Sequence, residues 1–438
     1  MWIGIDDTDS RLGGCTTYLC AMTISCLQDL NIHLIGFPRL VRLNPNVPWK
    51  TRGNGAVSFQ IGEGKGEPVR IGRINGEDIF SYSSYIKEQW SDLRINNIKD
   101  VLVEKINSMA RLSEDNTNPG LVSVSNQFDE AIYWKTVQTL VDKQDIITHI
   151  EKQNGWFQEF KNGRGIIGAT ASIAWRGTHD ITYELIAYRE KNKWGSKRFV
   201  DGQSVMTMDK LSPSTFDNYD YENKHINIIP NSPCPVLFGI RGNNPNELSK
   251  SITLLETESF NDWIIFASNQ GTDDHLLPRD IKNVKAFQSV IITGIVNSKP
   301  LTIPGGHVIF TICDKENHCI DCAAYEPTKQ FRQIIRYLRP GDLVKVFGGI
   351  RDEPFSINLE KIQILHLTES KVKIENPVCP LCGKHMKSIG KNQGFRCKKC
   401  RTKTQNGVLK HEKRPISEIM YEVPVCARRH LSKPLIRI

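Results

Sequence analysis

Two pairs of cysteines near the end of the chain constrain its fold more than any other feature. Cys379 and Cys382 form one CxxC pair, Cys397 and Cys400 form a second, and fourteen residues that include three glycines separate the pairs. Two CxxC turns joined by a β-hairpin of this length present four thiolates to one tetrahedral Zn²⁺. The sequence therefore predicts a zinc ribbon over residues 374–410, with these four cysteines as Zn²⁺ ligands.

The remaining cysteines, of twelve in all, are scattered along the chain. Paired CxxC motifs in an intracellular chain indicate metal binding rather than disulfides. A looser group has the residue types of a second metal site but lies inside a predicted β-rich segment: Cys313, His318, Cys319 and Cys322. We expect neither a second metal nor a disulfide framework.

Positive charge is concentrated in the same part of the chain. Residues 371–438 contain 17 Lys and Arg against 4 Asp and Glu, whereas the other 370 residues contain 40 against 44. Cations on a zinc module suit a nucleic-acid backbone, although a solvated tail is the alternative. We predict RNA contacts from Lys384, Lys387, Arg396, Lys398, Lys399 and Arg401, and a basic C-terminal tail at 411–438.

The chain opens with a short apolar strand, Trp2–Ile5, followed by three aspartates, Asp6, Asp7 and Asp9. Carboxylates at the end of a strand in an α/β sheet lie where ligands bind, and Mg²⁺ relieves their mutual repulsion. Gly13 and Gly14 then admit an anion to the start of the next helix, where Thr16 places a hydroxyl. From this motif alone, an acidic loop with an ordinary helix cap is an equally good interpretation.

Two further loops favour a nucleotide site. The polar loop, Asn44–Gly55, precedes a strand, and the glycine-rich turn, Gly163–Ala169, enters an apolar run. Neither is a Walker motif. Three such loops beside one acidic cluster predict a site for ATP and Mg²⁺. The candidate ATP-binding residues are Gly13, Gly14, Lys50, Arg52, Asn54, Gly163, Arg164 and Gly165, with Asp6 and Asp7 as Mg²⁺ ligands.

The predicted elements divide the chain into a multi-domain α/β and β architecture. Residues 1–198 alternate strands and helices, and 199–276 form a smaller α+β unit. Residues 284–368 carry five short strands with one helix between the third and fourth, which is the order of an OB-fold β-barrel.

The chain closely resembles the archaeal tRNA(Ile) 2-agmatinylcytidine synthetase family over essentially its whole length. The shared motifs include GIDDTDS, GGCTTYL, IGFPRLVRLNPNVPWKTRGNGAVSF, GRGIIGA, PNSPCPVLFGIRG and ARRHLSKPLIRI. One departure is the stretch Gly62–Ser91, to which we assign no function; its first part, Gly62–Gly76, is predicted to be a hairpin or an exposed insertion.

The resemblance implies an ATP-dependent ligase that joins agmatine to carbon 2 of the wobble cytidine in the CAU anticodon of an isoleucine tRNA. The modified tRNA then reads AUA, and ATP ends as AMP and phosphates after phosphoryl activation of the cytidine. The resemblance also implies a kinase-like first domain with catalytic Asp6, Asp7, Asp9 and Thr16, Thr16 being the phosphorylated threonine. A ferredoxin-like domain, the OB-fold and the zinc ribbon follow.

A carboxylate should recognise the guanidinium of agmatine, preferably as a bidentate pair. Asp217 and Glu184 are the candidates, and the alternatives are a turn residue for Asp217 and an exposed strand charge for Glu184. The sequence does not choose between them.

The chain has no apolar run long enough to cross a membrane and no signal peptide, so we expect a cytoplasmic protein. The oligomeric state is open. The rival interpretations are a non-catalytic RNA-binding protein and a small-molecule kinase with an added RNA module. Three carboxylates among glycine-rich loops argue against the first.

Overall fold

A large mixed β-sheet organises the first two thirds of the chain. The structure is a computed structural model and describes residues 1–87, 90–369, 371–391 and 393–438. The strands of this part are β1 (Trp2–Asp6), β2 (His33–Arg42), β3 (Gly55–Lys65), β4 (Val69–Ile74), β5 (Glu77–Tyr82), β6 (Ser84–Ile86), β7 (Gly120–Val124), β8 (Trp156–Glu159), β9 (Thr182–Tyr188), β10 (Thr215–Phe216), β11 (Tyr219–Asp220), β12 (His225–Ile226), β13 (Val236–Gly242) and β14 (Asp262–Ser268).

Twelve of these strands form the sheet, in the order β10-β13-β9-β14-β4-β5-β2-β3-β1-β7-β8 with β6 beside β3. The short strands β11 and β12 pair with each other instead.

Helices cover both faces of this sheet. They are α1 (Thr16–Asp29), α2 (Asp92–Met109), α3 (Glu130–Gln138), α4 (Lys143–Lys152), α5 (Gly165–Ala174), α6 (Gly202–Leu211) and α7 (Pro245–Ser251). Alternate residues of β1 serve the two faces: Ile3 and Ile5 join the core under α1 and α2, whereas Trp2 joins the core under α3, α4 and α5. This alternation is what a strand buried on both sides requires.

The predicted domain boundary between residues 198 and 199 does not divide the sheet. β9 lies before this point and pairs with both β13 and β14 after it, and β14 continues the pairing to β2 and β4. The helix α7 ends at Ser251, where a 3₁₀ turn follows. The smaller α+β unit therefore shares one sheet with the unit before it.

The stretch Gly62–Ser91 forms the end of β3, the β4–β5 hairpin and β6. A hairpin is therefore present, but it spans Val69–Tyr82 rather than the predicted Gly62–Gly76. Glu88 and Gln89 of this stretch lie outside the described residues. β5 also pairs with β2, so the hairpin extends the main sheet.

Residues 276–366 form a second, barrel-like sheet. Its elements are β15 (Leu276–Pro278), β16 (Ser289–Val296), β17 (Leu301–Thr302), β18 (Val308–Cys313), β19 (Cys319–Ala324), α8 (Phe331–Arg336), β20 (Leu343–Arg351) and β21 (Ser356–His366). The pairings run β16–β20–β21–β19–β18 and return from β18 to β16, which closes the barrel around an apolar core.

Cys313 and Cys319 form a disulfide in this barrel, so the expectation that the scattered cysteines make none is wrong at this pair. The disulfide forms because the register of the β18–β19 hairpin places these two residues directly opposite each other. Cys322 stays a buried free thiol. Four cysteines elsewhere form a cluster whose ligand atoms could hold one metal ion.

The chain then leaves the barrel, forms the cysteine-rich module and returns. A stalk of β22 (Lys371–Glu375) and β26 (Val408–His411) carries the small sheet of β23 (Lys387–Ser388), β24 (Phe395–Arg396) and β25 (Lys403–Thr404). The last residues add β27 (Met420–Glu422) to β21 and then contact the main sheet, where Gly271 and Asp273 donate backbone hydrogen bonds to His430 and Leu431.

The predicted basic tail is thus a strap between the barrel and the main sheet. Its arginines make ion pairs with acidic residues of the body, including Arg414 with Asp342 at 2.6 Å and Arg437 with Asp180 at 2.9 Å. None of the helices in the described residues has the length and apolarity that a bilayer span demands.

Candidate active site

The acidic loop after β1 brings the three predicted aspartates together at one end of the strand. Asp6 ends β1, Asp7 adopts a left-handed backbone with φ 58°, and Asp9 lies two residues on. The left-handed residue turns the chain sharply, so that the three carboxylates line the same cleft as Thr16.

Thr16 is held by this loop at the first turn of α1. Its backbone N–H donates to Asp9 Oδ1 at 2.7 Å, and its hydroxyl donates to the same oxygen at 3.0 Å. The Thr8 hydroxyl in turn donates to Thr16 Oγ1 at 2.9 Å. Asp9 therefore accepts the hydrogen bond of the first free backbone N–H of α1, and the Thr16 hydroxyl has a fixed position at the wall of the cleft.

Two arginines from distant loops pair with the aspartates. Arg164 Nη2 lies 2.7 Å from Asp7 Oδ2, and Arg52 Nη2 lies 3.0 Å from Asp9 Oδ1. Arg52 also donates to the Gly14 carbonyl at 2.6 Å. The predicted polar loop and the predicted glycine-rich turn thus both reach the acidic loop.

Close packing of glycines places the start of α5 against Asp6. A Cβ at Gly168 would overlap Asp6 Oδ2, and one at Gly165 would lie 2.5 Å from the Asp6 carbonyl oxygen. A Cβ at Gly4 in β1 would likewise overlap the Ala169 carbonyl. These glycines act first as packing residues that bring the positive end of the α5 dipole to the carboxylates.

The carboxylates are short of neutralising charge. Burial raises the pKa of Asp6 well above its usual range, and the Asp7 carboxylate raises it further. Burial also raises the pKa of Asp7 to about 6, although Arg164 opposes the shift. Like charges held together in a desolvated site favour a bound cation with oxygen ligands.

The first cleft, which this acidic loop borders, contains most of the predicted nucleotide-binding residues. Lys50, Arg52 and Asn54 line it from the polar loop, and Arg164 and Gly165 line it from the start of α5. Burial lowers the pKa of Lys50 to about 8. Three predicted residues lie elsewhere: Gly163 is outside the cleft lining, and Gly13 and Gly14 line a separate cleft on the other side of the loop.

Part of this cleft was not predicted from the sequence. Trp49 and Leu140, 45% and 40% exposed, and Thr136 and Thr139 from the end of α3 form its other wall. Large apolar side chains left exposed in a cleft are a signal of ligand contact. The sequence shows Trp49 in the polar loop, but no local sequence pattern indicates that α3 packs beside this loop.

A second cleft adjoins the first and shares Asp9, Thr16 and Arg52 with it. Glu184, one of the two agmatine candidates, lines this second cleft and accepts a hydrogen bond from Gln270. Arg241 Nε lies 3.4 Å from its carboxylate and Arg42 Nη2 lies 3.8 Å away. Glu184 is thus a buried strand residue in a network of arginines, not an exposed strand charge.

Asp217, the other candidate, is a left-handed turn residue with φ 59°. Its carboxylate forms an ion pair with Arg428 from the C-terminal strap, and Arg241 lies 4.0 Å away. Burial raises the pKa of Asp217 despite these arginines. Asp217 is not among the described residues that line the second cleft.

His430 from the strap completes the second cleft. Its Nδ1 lies 2.9 Å from both Arg241 Nη2 and Gln270 Oε1. Burial, with Arg42 and Arg241 nearby, lowers the pKa of His430 well below its usual range, so the ring is neutral. No local pattern indicated this contact, because the partners lie 160 and more residues apart.

The four paired cysteines converge as predicted. Their sulfur atoms all lie within 4.8 Å of one another, and Cys379 and Cys397 are buried with Met386 and Phe395 in a small core. The cluster matches the donor set of a structural zinc site. Of the predicted RNA-binding cations, Arg396 is half-buried and the others are exposed around this core: Lys384, Lys387, Lys398, Lys399 and Arg401.

Three family models match the chain. Residues 2–162 match the TiaS TCKD domain, residues 163–275 match the TiaS FLD domain, and residues 376–416 match the TiaS C-terminal zinc ribbon domain. Together they cover most of the sequence.

Full-length relatives give the same result. The chain is 41% identical over 443 residues to a protein of Archaeoglobus fulgidus named as TiaS, a 2-agmatinylcytidine synthetase for an isoleucine tRNA, covering 100% of this chain and 97% of that protein. It is 43% identical over 449 residues to the protein of the same name from Methanocaldococcus jannaschii, covering 99% and 98%.

Solved structures agree with these relatives. A complex of TiaS with an isoleucine tRNA and ATP matches with a TM-score of 0.83 at 40% identity, and a complex with that tRNA, AMPCPP and agmatine matches with 0.80 at 38% identity. Both matches cover 100% of this chain and 97% of the other.

Proposed function

The chain belongs to the TiaS family of 2-agmatinylcytidine synthetases, and from that premise we infer that it conjugates agmatine to a cytidine of an isoleucine tRNA with the use of ATP. The observation that carries this function is the match over the full chain to structures that hold an isoleucine tRNA, ATP or its analogue, and agmatine. Its substrates are therefore a tRNA, ATP and agmatine.

The finer reaction follows from the chemistry of cytosine. We propose that the target is the wobble cytidine of a CAU anticodon, which then reads AUA. The carbonyl at carbon 2 is a poor electrophile and its oxygen a poor leaving group. Transfer of a phosphoryl group from ATP to that oxygen creates a leaving group; the agmatine amine then adds to carbon 2, loses a proton, and phosphate departs with the oxygen. This transfer leaves ADP. Transfer of a second phosphoryl group to the Thr16 hydroxyl breaks the remaining phosphoanhydride bond and leaves AMP, and water then releases phosphate from Thr16, so that AMP and two phosphates are the products.

The acidic loop is the proposed centre of phosphoryl transfer. Asp6 and Asp7 are the proposed Mg²⁺ ligands, with Asp9 beside them, because oxygen donors crowded in a desolvated site fit a hard cation and burial raises the pKa of both ligands. The ion would neutralise charge on the phosphates. Lys50, Arg52 and Arg164 border the same cleft and supply further positive charge.

Thr16 is the proposed phosphate acceptor of the protein. Its hydroxyl already donates to a carboxylate, Asp9, which can take the hydroxyl proton as Oγ1 attacks phosphorus. Arg52, paired to the same carboxylate, holds Asp9 in place for this transfer. Gly13 and Gly14 give the loop its backbone path between Asp9 and Thr16, with φ 138° and 72°.

For the guanidinium of agmatine we favour Glu184 over Asp217. Glu184 lines the second cleft, which adjoins Thr16, whereas Asp217 is covered by Arg428. Arg241 and Arg42 each lie near one oxygen of Glu184 and would have to share the carboxylate with the ligand.

The remaining parts serve RNA binding in this proposal. We propose Zn²⁺ at the four cysteines and RNA contacts from the exposed cations of the zinc ribbon.

The barrel order, with α8 between the third and fourth strands of the closed ring, supports an OB-fold. We retain a kinase-like unit at 1–198, a ferredoxin-like unit at 199–276, the OB-fold at 284–368, the ribbon at 374–410 and a final segment at 411–438, in a cytoplasmic protein.

Incorporation of radiolabelled agmatine into a transcript of isoleucine tRNA tests the function. We expect incorporation that requires ATP and is lost when the wobble cytidine is replaced by uridine. Incorporation without ATP, or undiminished incorporation into the uridine transcript, would contradict the proposed reaction.

A further inference from the structure

The cleft beside Gly13 and Gly14 is not used by the proposed reaction, and it has the features of a nucleotide site. We name it the Trp194 cleft; its walls include Leu12, Gly13, Tyr18, Lys105, Arg111 and Trp194. It also contains Thr8, whose hydroxyl donates to Thr16. The cleft therefore lies directly behind the loop that holds the acceptor threonine.

Trp194 is a fixed aromatic surface rather than a loose side chain. Its Nε1 donates to the Arg189 carbonyl at 3.0 Å, and its ring meets Tyr18 edge-on with centroids 5.4 Å apart. Arg189 is itself buried and forms two hydrogen bonds to Glu258, of 2.7 and 3.0 Å. Nevertheless 39% of Trp194 is exposed. A rigid tryptophan with a free face suits stacking on a base, because little entropy is lost on binding.

The charge of the cleft is complementary to RNA. Lys105, Arg111 and Lys191 line it, and no Asp or Glu is among its described lining residues. Lys105 and Arg111 form no ion pair within the described residues, and Lys191 has as its electrostatic neighbour Asp262, whose carboxylate does not line the cleft. The Arg111 guanidinium lies against the loop, since a Cβ at Gly13 would be 3.1 Å from Nη2. A cleft without carboxylates disfavours cationic agmatine and favours an anion with an apolar face.

We propose that the Trp194 cleft binds one unpaired nucleotide of the tRNA next to the cytidine that is modified, with its base on Trp194 and its phosphate near Arg111 and Lys105. This inference rests on the proposed function, because that function supplies an RNA loop as the substrate. The aspartates do not line the cleft, so the reacting cytidine itself goes to the acidic side of the loop. Nucleotides splayed on aromatic side chains are the usual mode of single-stranded RNA recognition.

Kinetics with a matched pair of variants test the stacking. Trp194→Ala should raise the KM for tRNA about tenfold, as loss of one base stack does, with kcat and the KM values for ATP and agmatine unchanged. Trp194→Phe, which keeps a stacking face, should stay within about threefold of wild type. Phe80→Ala removes an exposed aromatic outside the cleft (37% exposed) and should change nothing.

Abasic transcripts identify the nucleotide. A transcript that lacks the base on one side of the cytidine should raise the KM of the wild-type enzyme about tenfold and cause no further increase in Trp194→Ala. An unchanged KM for tRNA in Trp194→Ala, independent effects of the two changes, or a raised KM for ATP or agmatine would each overturn the inference. Were Trp194→Ala unable to fold, Trp194→Leu, which keeps apolar bulk but has no aromatic face, gives the same comparison in the abasic series. Failure of the proposed function itself differs, because the wild-type enzyme would then incorporate no agmatine.

Discussion

The acidic loop and the zinc ribbon both concentrate charge of one sign, but they hold it in opposite ways. In the loop, Asp7 and Asp9 are partly buried and each pairs with an arginine from a distant part of the chain. In the ribbon, Lys398 and Lys399 are exposed around a small cysteine core. Fixed, desolvated charge suits phosphoryl transfer, whereas exposed charge suits a salt-dependent grip on RNA. The difference supports the proposal that the acidic loop carries the chemistry and the ribbon contributes RNA binding.

The largest effect should come from the loop. Thr16→Ala removes the proposed acceptor hydroxyl and should lower agmatine incorporation at saturating tRNA at least about a hundredfold. Thr16→Ser keeps the hydroxyl and serves as the control, with activity within about tenfold of wild type. Equal activity of the alanine and serine variants would show that the Thr16 hydroxyl is not the phosphate acceptor.

An intermediate effect is expected from the ribbon. Replacing Cys397 and Cys400 by serine removes two of four thiolates, so the metal-dependent module should unfold. The KM for tRNA should rise at least about tenfold, with kcat at saturating tRNA near wild type. Cys26→Ser, a half-buried cysteine of α1, is the control. A collapse of kcat with an unchanged KM would place the ribbon in catalysis instead.

The smallest effect should come from single charges of the ribbon. With Lys398 and Lys399 both changed to glutamine, the slope of log Kd against log salt concentration should fall by roughly two, one for each lost phosphate contact. Lys135→Gln is the control, because Lys135 lies on α3 and pairs with Asp145 at 3.3 Å. Filter binding at several salt concentrations measures the slopes. Identical slopes in the double variant and wild type would show that these lysines do not meet phosphate.

Local sequence pattern was enough to predict much of the fold. β1 extends the predicted strand Trp2–Ile5 by only Asp6. The cysteine spacing alone predicted the cluster of four sulfur atoms. These features depend on residues close together in sequence, where periodicity and turn chemistry decide the structure.

Long-range pairing could not be predicted in the same way. The sequence does not show that Arg428 closes over Asp217, 211 positions away, or that Cys313 faces Cys319 in a hairpin of matching register. The composition of 411–438 suggested a free basic tail, yet its arginines pair with acidic residues of the body. Within the site, the acidic loop was evident from Asp6 onward, whereas the α3 wall was not.

Asp7→Ala provides the most direct test of the assignment of chemistry to the acidic loop. The variant removes a proposed Mg²⁺ ligand and leaves Arg164 without its 2.7 Å partner. Agmatine incorporation and tRNA binding are measured on the same preparation, with Asp145→Ala, an exposed acid of α4, as control. We predict a loss of incorporation of at least about a hundredfold with the Kd for tRNA unchanged. Undiminished incorporation by Asp7→Ala would contradict the assignment.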